Sequence, residues 1–459
     1  MRVRSTIIAV LLALLSVAAA YFAWRQDQQS ASAADQSARR LFTRDEIPVD
    51  AVERITLTRA GAPPMVFERR SGEWMQTQPV EYPVDVFSMR QLAIAAQELE
   101  AVGEPLPSSA DDGSLATMSL DPPLAILTLD WPGGSKSFQL GRKGVGGLAY
   151  LRIVGDDSIH LVRQTLHDRA IDQSPFEWRR KRLFDFAGVD SSQAAFEEPG
   201  ALGYVFERQR RQWTMTSPMQ ARLDPQAVEE HLAMIAGVQA ASFIADAPPD
   251  LAPFGLESPR AALTVATPVR RIVNGEPSEQ LITERLLIGA PQTLEQAAAY
   301  FAMIEGRRVV VTLPRAVIER LAASGHLIDL RALDINPADV RSIRVTAEEE
   351  FTLMRDREDP TRWVALDAAD AAVSPVSVNQ LFELLTVARA VDVQDGEFPF
   401  DRRVGQIMLF DYNDEALSAA QIARLEDGRW VVFSDDHVLR IFPRSMEIHF
   451  TLAGYLEGE

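Results

Sequence analysis

Three tryptophans mark a segment that repeats along this chain, and the repeat restricts the fold more than any other sequence feature. Trp74 and Trp213 are each followed by a proline five residues later and preceded, at the same offset, by Val-Phe-Glu-Arg. A third copy is centred on Trp363. The tryptophans lie 139 and 150 residues apart, so we expect three related copies within the 459 residues. A typical domain length of about 150 residues leads to the same number.

Each tryptophan precedes a predicted helix. A helix-capping residue follows eleven positions later in every copy, at Asp85, Asp224 and Ser374. Asp and Ser at this position accept hydrogen bonds from the free amides of the first helical turn. Apolar residues then recur at helical spacing, which indicates one buried face. These residues are Met89, Ala93 and Ala96, then Val228, Leu232 and Ile235, then Val378, Phe382 and Leu385.

The remainder of each copy is typical of strands. Strands and helices are grouped along the sequence rather than alternating, which predicts the α+β class with mostly antiparallel sheets. We expect one helix packed on each sheet and a core anchored by the tryptophan, with stacking on a ligand as the alternative role. The predicted boundaries are 46–180 for repeat 1, 181–330 for repeat 2 and 331–459 for a degenerate repeat 3.

The N-terminal segment predicts a membrane anchor. An apolar run of eighteen residues, 7–24, follows Arg2 and Arg4 and is closed by Arg25. Eighteen helical residues span about 27 Å, close to the thickness of a bilayer core. Short basic flanks stay cytoplasmic, so residues 1–25 are predicted as a cytoplasmic N-terminus and a single transmembrane helix acting as a signal anchor. A cleaved signal peptide is the alternative, because the run contains three consecutive alanines.

The polar segment 26–45 predicts a flexible tether between the anchor and the folded repeats. We therefore expect a single-pass protein of the cell inner membrane whose bulk is periplasmic. The formal net charge of −19 argues against nucleic acid as a partner, because the chain and phosphate repel each other. The sequence contains no cysteine, which excludes disulfides, thiolate zinc sites and cysteine nucleophiles.

Sequence motifs for catalysis, metals and cofactors are not found. The histidines have no HExxH or His-x3-His spacing, so a histidine metal site lacks support. They are His160, His167, His231, His326, His437 and His449. The acid pairs lie in turn contexts, where carboxylates usually accept backbone amides or face solvent. They are Asp111-Asp112, Asp156-Asp157 and Asp435-Asp436. We predict no catalytic, metal-binding or cofactor-binding residue, no cofactor and no enzymatic activity.

Two further features have a structural explanation. The glycine-rich loop 141–147 is predicted to be a hairpin turn rather than a phosphate loop, because no βαβ unit surrounds it. His231 occupies a position where the other copies carry Leu92 and Leu381, so we expect it at the edge of a core.

The single basic run is the candidate partner-docking patch. Arg179, Arg180, Lys181 and Arg182 follow one another at the first repeat boundary. In an acidic chain such a run suits docking onto an acidic partner or anionic head groups. The alternative is a solvated or salt-bridged turn between repeats.

The order of the motifs resembles a known family. After the Val-Phe-Glu-Arg strand, the Trp-x4-Pro step and the capped helix, further steps recur in repeats 1 and 2. They are Leu-x-x-Pro at 120–123 and 256–259, an apolar-Gly pair at 140–141 and 288–289, and Ala-Tyr at 149–150 and 299–300. From about Val52 to Leu313 this order is similar to domain-of-unknown-function family 4340 (DUF4340). The resemblance implies an auxiliary component of an ABC transporter, because members are often encoded beside its ATPase and gliding-type permease.

These observations favour a non-enzymatic binding or scaffolding component of an ABC-type transport system, with the permease and ATPase complex as its partner. Two alternatives stay open. One is an envelope hydrolase that uses paired Asp and Glu carboxylates. The other is a ligand-binding receptor with an apolar pocket between repeats 1 and 2.

Overall fold

The computed structural model describes residues 38–107, 112–200, 203–210, 212–273, 276–293, 298–366, 368 and 371–456. The chain divides into two compact units. Unit 1 comprises the chain up to Lys181 together with Ser242–Pro249 and Gly306–Val311. Unit 2 comprises Arg182–Ala241, Asp250–Glu305 and Thr312–Glu459.

The described residues of unit 1 form an 11-stranded sheet in which the paired strands run antiparallel. Its strands are β1 (Ala38–Arg40), β2 (Arg54–Arg59), β3 (Met65–Arg70), β4 (Glu73–Gln78), β5 (Tyr82–Pro83), β6 (Glu100–Val102), β7 (Leu106–Pro107), β8 (Ala125–Trp131), β9 (Gly134–Lys143), β10 (Leu148–Ile153) and β11 (Ser158–Arg163). The strand order is β1-β6-β11-β10-β9-β8-β2-β3-β4-β5, with β7 paired to β11.

The next strands along the chain are β12 (Gln193–Glu197), β13 (Tyr204–Gln209), β14 (Gln212–Ser217), β15 (Ala221–Arg222), β16 (Ser242–Asp246), β17 (Ala261–Val273), β18 (Glu276–Pro291), β19 (Ala299–Ile304) and β20 (Val309–Pro314). Within unit 2 they form an antiparallel sheet in the order β15-β14-β13-β12-β17-β18-β19. Strand β16 and the first three residues of β20 belong to unit 1.

A further sheet of eight antiparallel strands lies in unit 2. Its strands are β21 (Ser342–Thr346), β22 (Glu350–Arg355), β23 (Trp363–Ala365), β24 (Asp392–Gln394), β25 (Arg403–Phe410), β26 (Ala416–Arg424), β27 (Trp430–Phe433) and β28 (Leu439–Phe442). The strand order is β23-β22-β21-β25-β26-β27-β28-β24.

Among the described residues the helices are few and short. They are α1 (Val86–Gln97), α2 (Asp112–Thr117), α3 (Thr165–His167), α4 (Pro225–Ala236), α5 (Arg315–Ala322) and α6 (Pro375–Thr386). A π-helical turn, Asp168–Asp172, follows α3. Single 3-10 turns lie at Val49–Ala51, Pro175–Trp178, Ala252–Phe254, Gly325–Leu327, Pro337–Asp339, Phe400–Arg402 and Leu452–Tyr455. Among the described residues, no helix is long and apolar enough to cross a membrane.

The predicted caps start the three helices that follow the tryptophans. The side chains of Asp85, Asp224 and Ser374 accept hydrogen bonds from backbone amides in the first turns of α1, α4 and α6. The backbone amide of each cap residue also donates to a carbonyl near the end of its own repeat. The acceptors are Trp178 at 2.7 Å, Leu327 at 2.9 Å and Tyr455 at 2.7 Å. In each repeat, the same kind of hydrogen bond therefore joins the start of the capped helix to the end of the repeat.

The prediction of an α+β fold with three mostly antiparallel sheets is confirmed. Trp74, Trp213 and Trp363 are buried, with 7%, 3% and 3% of their surface exposed, as core anchors should be. The repeat boundaries stay a prediction, and the predicted anchor, 1–25, lies outside the described residues.

The end of the predicted tether differs from expectation. Strand β1 pairs with β6, the amide of Leu41 donates to the carbonyl of Leu99, and Phe42 is buried against the core of unit 1. Leu41 and Phe42 are apolar, so burying them stabilises an ordered segment at 38–42. Residues 26–37 of the tether lie outside the described part of the chain.

Candidate functional site

The first residue of the predicted docking patch is buried in unit 1. Arg179 is 2% exposed, and its two terminal nitrogens donate to the two carboxylate oxygens of Asp246, each at 2.7 Å. Its Nε donates to the Oε1 of Gln76 at 3.1 Å. Three aromatic rings surround the guanidinium, with centroids 5.1 to 5.4 Å from Cζ: Tyr82, Phe176 and Phe243.

Arg179 therefore does not present its charge to solvent, because Asp246 neutralises it inside the fold. Arg180 is partly buried, whereas Lys181 and Arg182 are exposed. Arg182 donates one hydrogen bond, of 3.2 Å, to the carbonyl of Ala187. A docking role for these three residues stays a prediction.

A buried network of charges holds unit 2 together. Both terminal nitrogens of Arg440 donate to Asp436, at 2.8 and 2.6 Å. The backbone amide of Arg222 donates to the same carboxylate at 3.1 Å. Burial alone would raise the pKa of Asp436, but these hydrogen bonds and charges outweigh it and lower the pKa to about 2.

A second carboxylate extends the network. Asp329, with only 2% of its side chain exposed, accepts hydrogen bonds from Arg222 at 2.9 Å and from Arg331 at 3.0 and 2.8 Å. Burial works against ionisation of Asp329, yet the guanidinium groups of Arg331 and Arg222 lower its pKa. In turn, the hydrogen bond to the Asp329 carboxylate raises the pKa of Arg331. The Nε of Arg440 donates to the backbone carbonyl of Asp329 at 2.9 Å. Three arginines and two carboxylates thus form one connected structure.

A polar cleft of about 390 Å³ lies against this network in unit 2. Arg222 and Asp436 form part of its wall. Its other polar lining includes Gln212, Thr214, Gln220, Asp334, Ser418 and Asp435. The cleft offers amide, hydroxyl and carboxylate groups, which suits a polar ligand rather than an apolar one.

The carboxylates of this cleft are poorly placed for acid catalysis. Asp435 accepts a hydrogen bond from the hydroxyl of Ser418 at 2.7 Å and is exposed. A general acid needs a pKa raised toward the working pH, whereas the pKa of Asp436 is lowered to about 2. The pair predicted to lie in a turn does so, between β27 and β28.

His231 lies on the buried face of α4, with 2% of its surface exposed. Its Nε2 pairs with the hydroxyl of Tyr204 at 2.8 Å, and the ring of His326 lies 5.5 Å away. Burial, assisted by the neighbouring His326, lowers the pKa of His231 to about 4. Burial raises the pKa of Tyr204. The histidine is therefore a neutral core residue at physiological pH.

The glycine-rich loop 141–147 lies at the junction of β9 and β10, as predicted. Gly146 and Gly147 have φ angles of 76° and 75°, the left-handed region that glycine adopts without strain. Val145 at the tip is 96% exposed. Within the described ranges, no group of three or more His, Asp and Glu side chains is arranged to hold a metal ion.

Sequence reasoning missed the partners of the buried arginines. Asp246 is separated from Arg179 by 67 residues, and Asp329 from Arg222 by 107 residues. The available signal was the type of residue, since arginine suits buried ion pairs and stacks on aromatic faces, and Arg179 follows Trp178.

The comparisons with known proteins give one family. The sequence model described as "Domain of unknown function (DUF4340)" matches residues 74–214 and 213–402. No curated protein and no solved structure matches the chain. The two family matches meet at Trp213, so each begins at one tryptophan of the repeat. Because they cover more than half of the chain, the protein belongs to the DUF4340 family.

Proposed function

We propose that this protein is a non-enzymatic scaffolding subunit that binds the permease and ATPase of an ABC-type transporter outside the cytoplasm. The observation that carries the proposal is that the buried arginines pair with groups of the protein's own fold. Arg179, Arg222 and Arg440 are each committed to carboxylates or backbone carbonyls within the fold. Such pairs fix the geometry of a framework and commit these three guanidinium groups to structural contacts.

The N-terminal segment supports a periplasmic location for this scaffold, anchored to the inner membrane. In the proposal, the apolar run at 7–24 anchors the chain in the cell inner membrane, with the repeats on the periplasmic side. The polar residues 26–37 then let the folded units reach a membrane partner.

Membership of the DUF4340 family supports the choice of partner, through the transporter association that the motif resemblance implies. Lys181 and Arg182 are exposed and form the remaining basic patch for docking. In a chain of net charge −19, a local positive surface orients an acidic partner.

Co-purification from membranes tests the scaffold proposal. The full chain is extracted in mild detergent, and we expect the permease and ATPase to elute with it. Lys181→Glu with Arg182→Glu should weaken the complex, whereas Arg357→Glu, which reverses the charge of another exposed arginine, should not. Recovery of the wild-type chain alone would contradict the proposal.

The polar cleft of unit 2 favours a second function, the binding of a polar ligand for the transporter. It differs from the apolar pocket expected between repeats 1 and 2, because its lining is dominated by amide, hydroxyl and carboxylate groups. In that case Gln220→Leu should abolish ligand-induced thermal stabilisation of the full chain while leaving the transporter complex intact. The hydrolase alternative would instead require that Asp435→Asn abolish an activity on envelope polymers.

A further inference from the structure

An open aromatic cleft lies at one end of the eight-stranded sheet in unit 2. Its volume is about 700 Å³. The loop between β24 and β25 forms one side, and the turn between β27 and β28 forms the other. Its lining is Asp395, Gly396, Glu397, Phe398, Phe400, Phe433 and His437.

The aromatic rings form a continuous wall. The centroids of Phe398 and Phe400 lie 5.2 Å apart at an interplanar angle of 81°, and those of Phe398 and Phe433 lie 5.8 Å apart. The ring of His437 continues the wall at 5.6 Å from Phe433. Phe398 is fixed in a small core with Ala423, Val431 and Ile441, so the wall has a rigid base.

Phe400 at the rim is 67% exposed, although burying a phenylalanine is favourable by about 2 kcal/mol. His437 supports the opposite rim from a left-handed backbone, at a φ of 60°. This conformation is uncommon for residues other than glycine, although histidine adopts it more often than most, and it is typical of tight turns. The fold therefore keeps aromatic faces open at this cleft.

Two carboxylates at the cleft have no counter-charge of their own. Asp395 and Glu397 are exposed, and within the described chain no side chain forms an ion pair or hydrogen bond with either. Other acids nearby are paired, as Glu426 is with Arg402 and Asp436 with Arg440. Aromatic faces and free carboxylates together are the chemistry that attracts an organic cation, through cation–π and ionic attraction.

We propose that this cleft is a docking surface for an arginine side chain on a basic segment of a partner protein. The planar guanidinium stacks on Phe400 and Phe433, and its N–H groups donate to Asp395 and Glu397. A free small ligand fits less well, because such ligands are usually 70–90% buried in their pockets and this site is open at its rim. The net charge of −19 draws a basic segment toward the surface.

This inference rests on the proposed function only in taking the partner to be a protein. The test uses the full chain in detergent and measures its affinity for a hexa-arginine peptide by calorimetry at low salt. A hexa-citrulline peptide has the same shape without charge and should bind at least tenfold more weakly. Phe400→Ala should weaken arginine binding about fivefold or more, and Phe400→Tyr should retain it.

Matched variants separate the cleft from the general acidity of the chain. Phe87→Ala removes another exposed phenylalanine, 66% exposed on α1, and should leave the affinity unchanged. Asp395→Asn with Glu397→Gln should weaken binding more than Glu73→Gln with Glu104→Gln, which removes two exposed charges from unit 1.

Equal affinities of Phe400→Ala and wild type would overturn the proposal, as would equal binding of the two peptides. Binding of phosphatidylcholine vesicles through Phe400, without peptide binding, would replace the protein partner by a lipid head group. A chain that purifies alone but binds arginine through Phe400 would contradict the transporter proposal and leave the cleft assignment standing.

Discussion

Arg179 carries a charge into the core of unit 1, where Asp246 neutralises it through two hydrogen bonds of 2.7 Å. The guanidinium is planar and always charged, so it forms a two-point contact while its faces pack on aromatic rings. Lysine has the same charge but neither the plane nor the fork of donors. Arg179 therefore links two parts of unit 1 that are distant in the sequence, its own segment and the strand that carries Asp246.

Arg179→Ala should lower the free energy of unfolding by about 3 kcal/mol, because it leaves the carboxylate of Asp246 without its partner. Arg179→Lys should recover only part of that loss. Arg182→Ala, at an exposed position of the same basic run, should change stability by less than about 0.5 kcal/mol. The measurement is urea unfolding of the full chain followed by tryptophan fluorescence. Equal midpoints for Arg179→Ala and Arg182→Ala would refute this role.

His231 makes the stability of unit 2 depend on pH. Its pKa is about 4 in the fold and near 6.5 when unfolded, so the unfolded chain binds the proton more readily. The contribution is fully present above pH 6.5 and is lost as the pH falls toward 4, by about 3 kcal/mol in total. His231→Leu, combined with Tyr204→Phe so that no hydroxyl loses its partner, should flatten the stability profile between pH 6.5 and 4. A profile unchanged from wild type would exclude His231 as the cause.

At this scale the sequence predicts residue type better than residue partner. Trp74, Trp213 and Trp363 could be predicted as core anchors because the pattern that indicates their burial lies in the neighbouring sequence. The burial of Arg179 could not be predicted from its own neighbours, since three consecutive basic residues after it are typical of a surface. Its partner becomes evident only when β16 is placed in unit 1.

Among the elements, the hairpin of β17 and β18 extends beyond its sheet. Strand β12 pairs with β17 only as far as Ala266, and β19 pairs with β18 only from Leu286. The segments 267–273 and 276–283 thus pair with each other as a two-stranded ribbon, and no described strand pairs with their outer edges. Pro268 and Pro277 lie opposite Leu281 and Ile272, four pairs apart, so both lie at positions that face outward. Proline at such positions removes the N–H group that would template another strand.

Replacing both prolines should make the ribbon self-associate. Pro268→Thr with Pro277→Thr restores an N–H on each open edge, so we expect a concentration-dependent increase in mass by light scattering. Ser278→Thr adds a strand-forming residue to the same ribbon without a new donor and serves as the control. A double variant that stays at the wild-type mass would show that the prolines do not protect the edges.

The elements themselves were largely predictable. The three caps lie where the spacing placed them, because an N-cap is specified by one side chain and three amides. Strand β1 was missed because three residues carry no period and its pairing partner, β6, is some 60 residues away. The ribbon was missed because its apolar residues, such as Ile272 and Leu281, are exposed rather than buried and lie among charged residues.

In the whole molecule, the buried charged groups and the exposed ones have different roles. Buried arginines pair with carboxylates inside each unit, while the surface carries most of the net charge of −19. An acidic surface is repelled by anionic lipids, so the proposed function requires the predicted anchor and tether to hold the protein near its partner. The side of the membrane that the repeats occupy therefore decides between the proposed function and any cytoplasmic role.

The absence of cysteine makes that side measurable, because any introduced cysteine is the single thiol of the chain. Val145→Cys places it at a hairpin tip that is 96% exposed. A membrane-impermeant maleimide should label this variant in cells whose outer membrane has been made permeable. Ser5→Cys, before the apolar run, should be labelled only after lysis, since the N-terminus is proposed to be cytoplasmic. Labelling of Ser5→Cys but not Val145→Cys before lysis of these permeabilised cells would invert the topology and remove the basis for an extracytoplasmic scaffold.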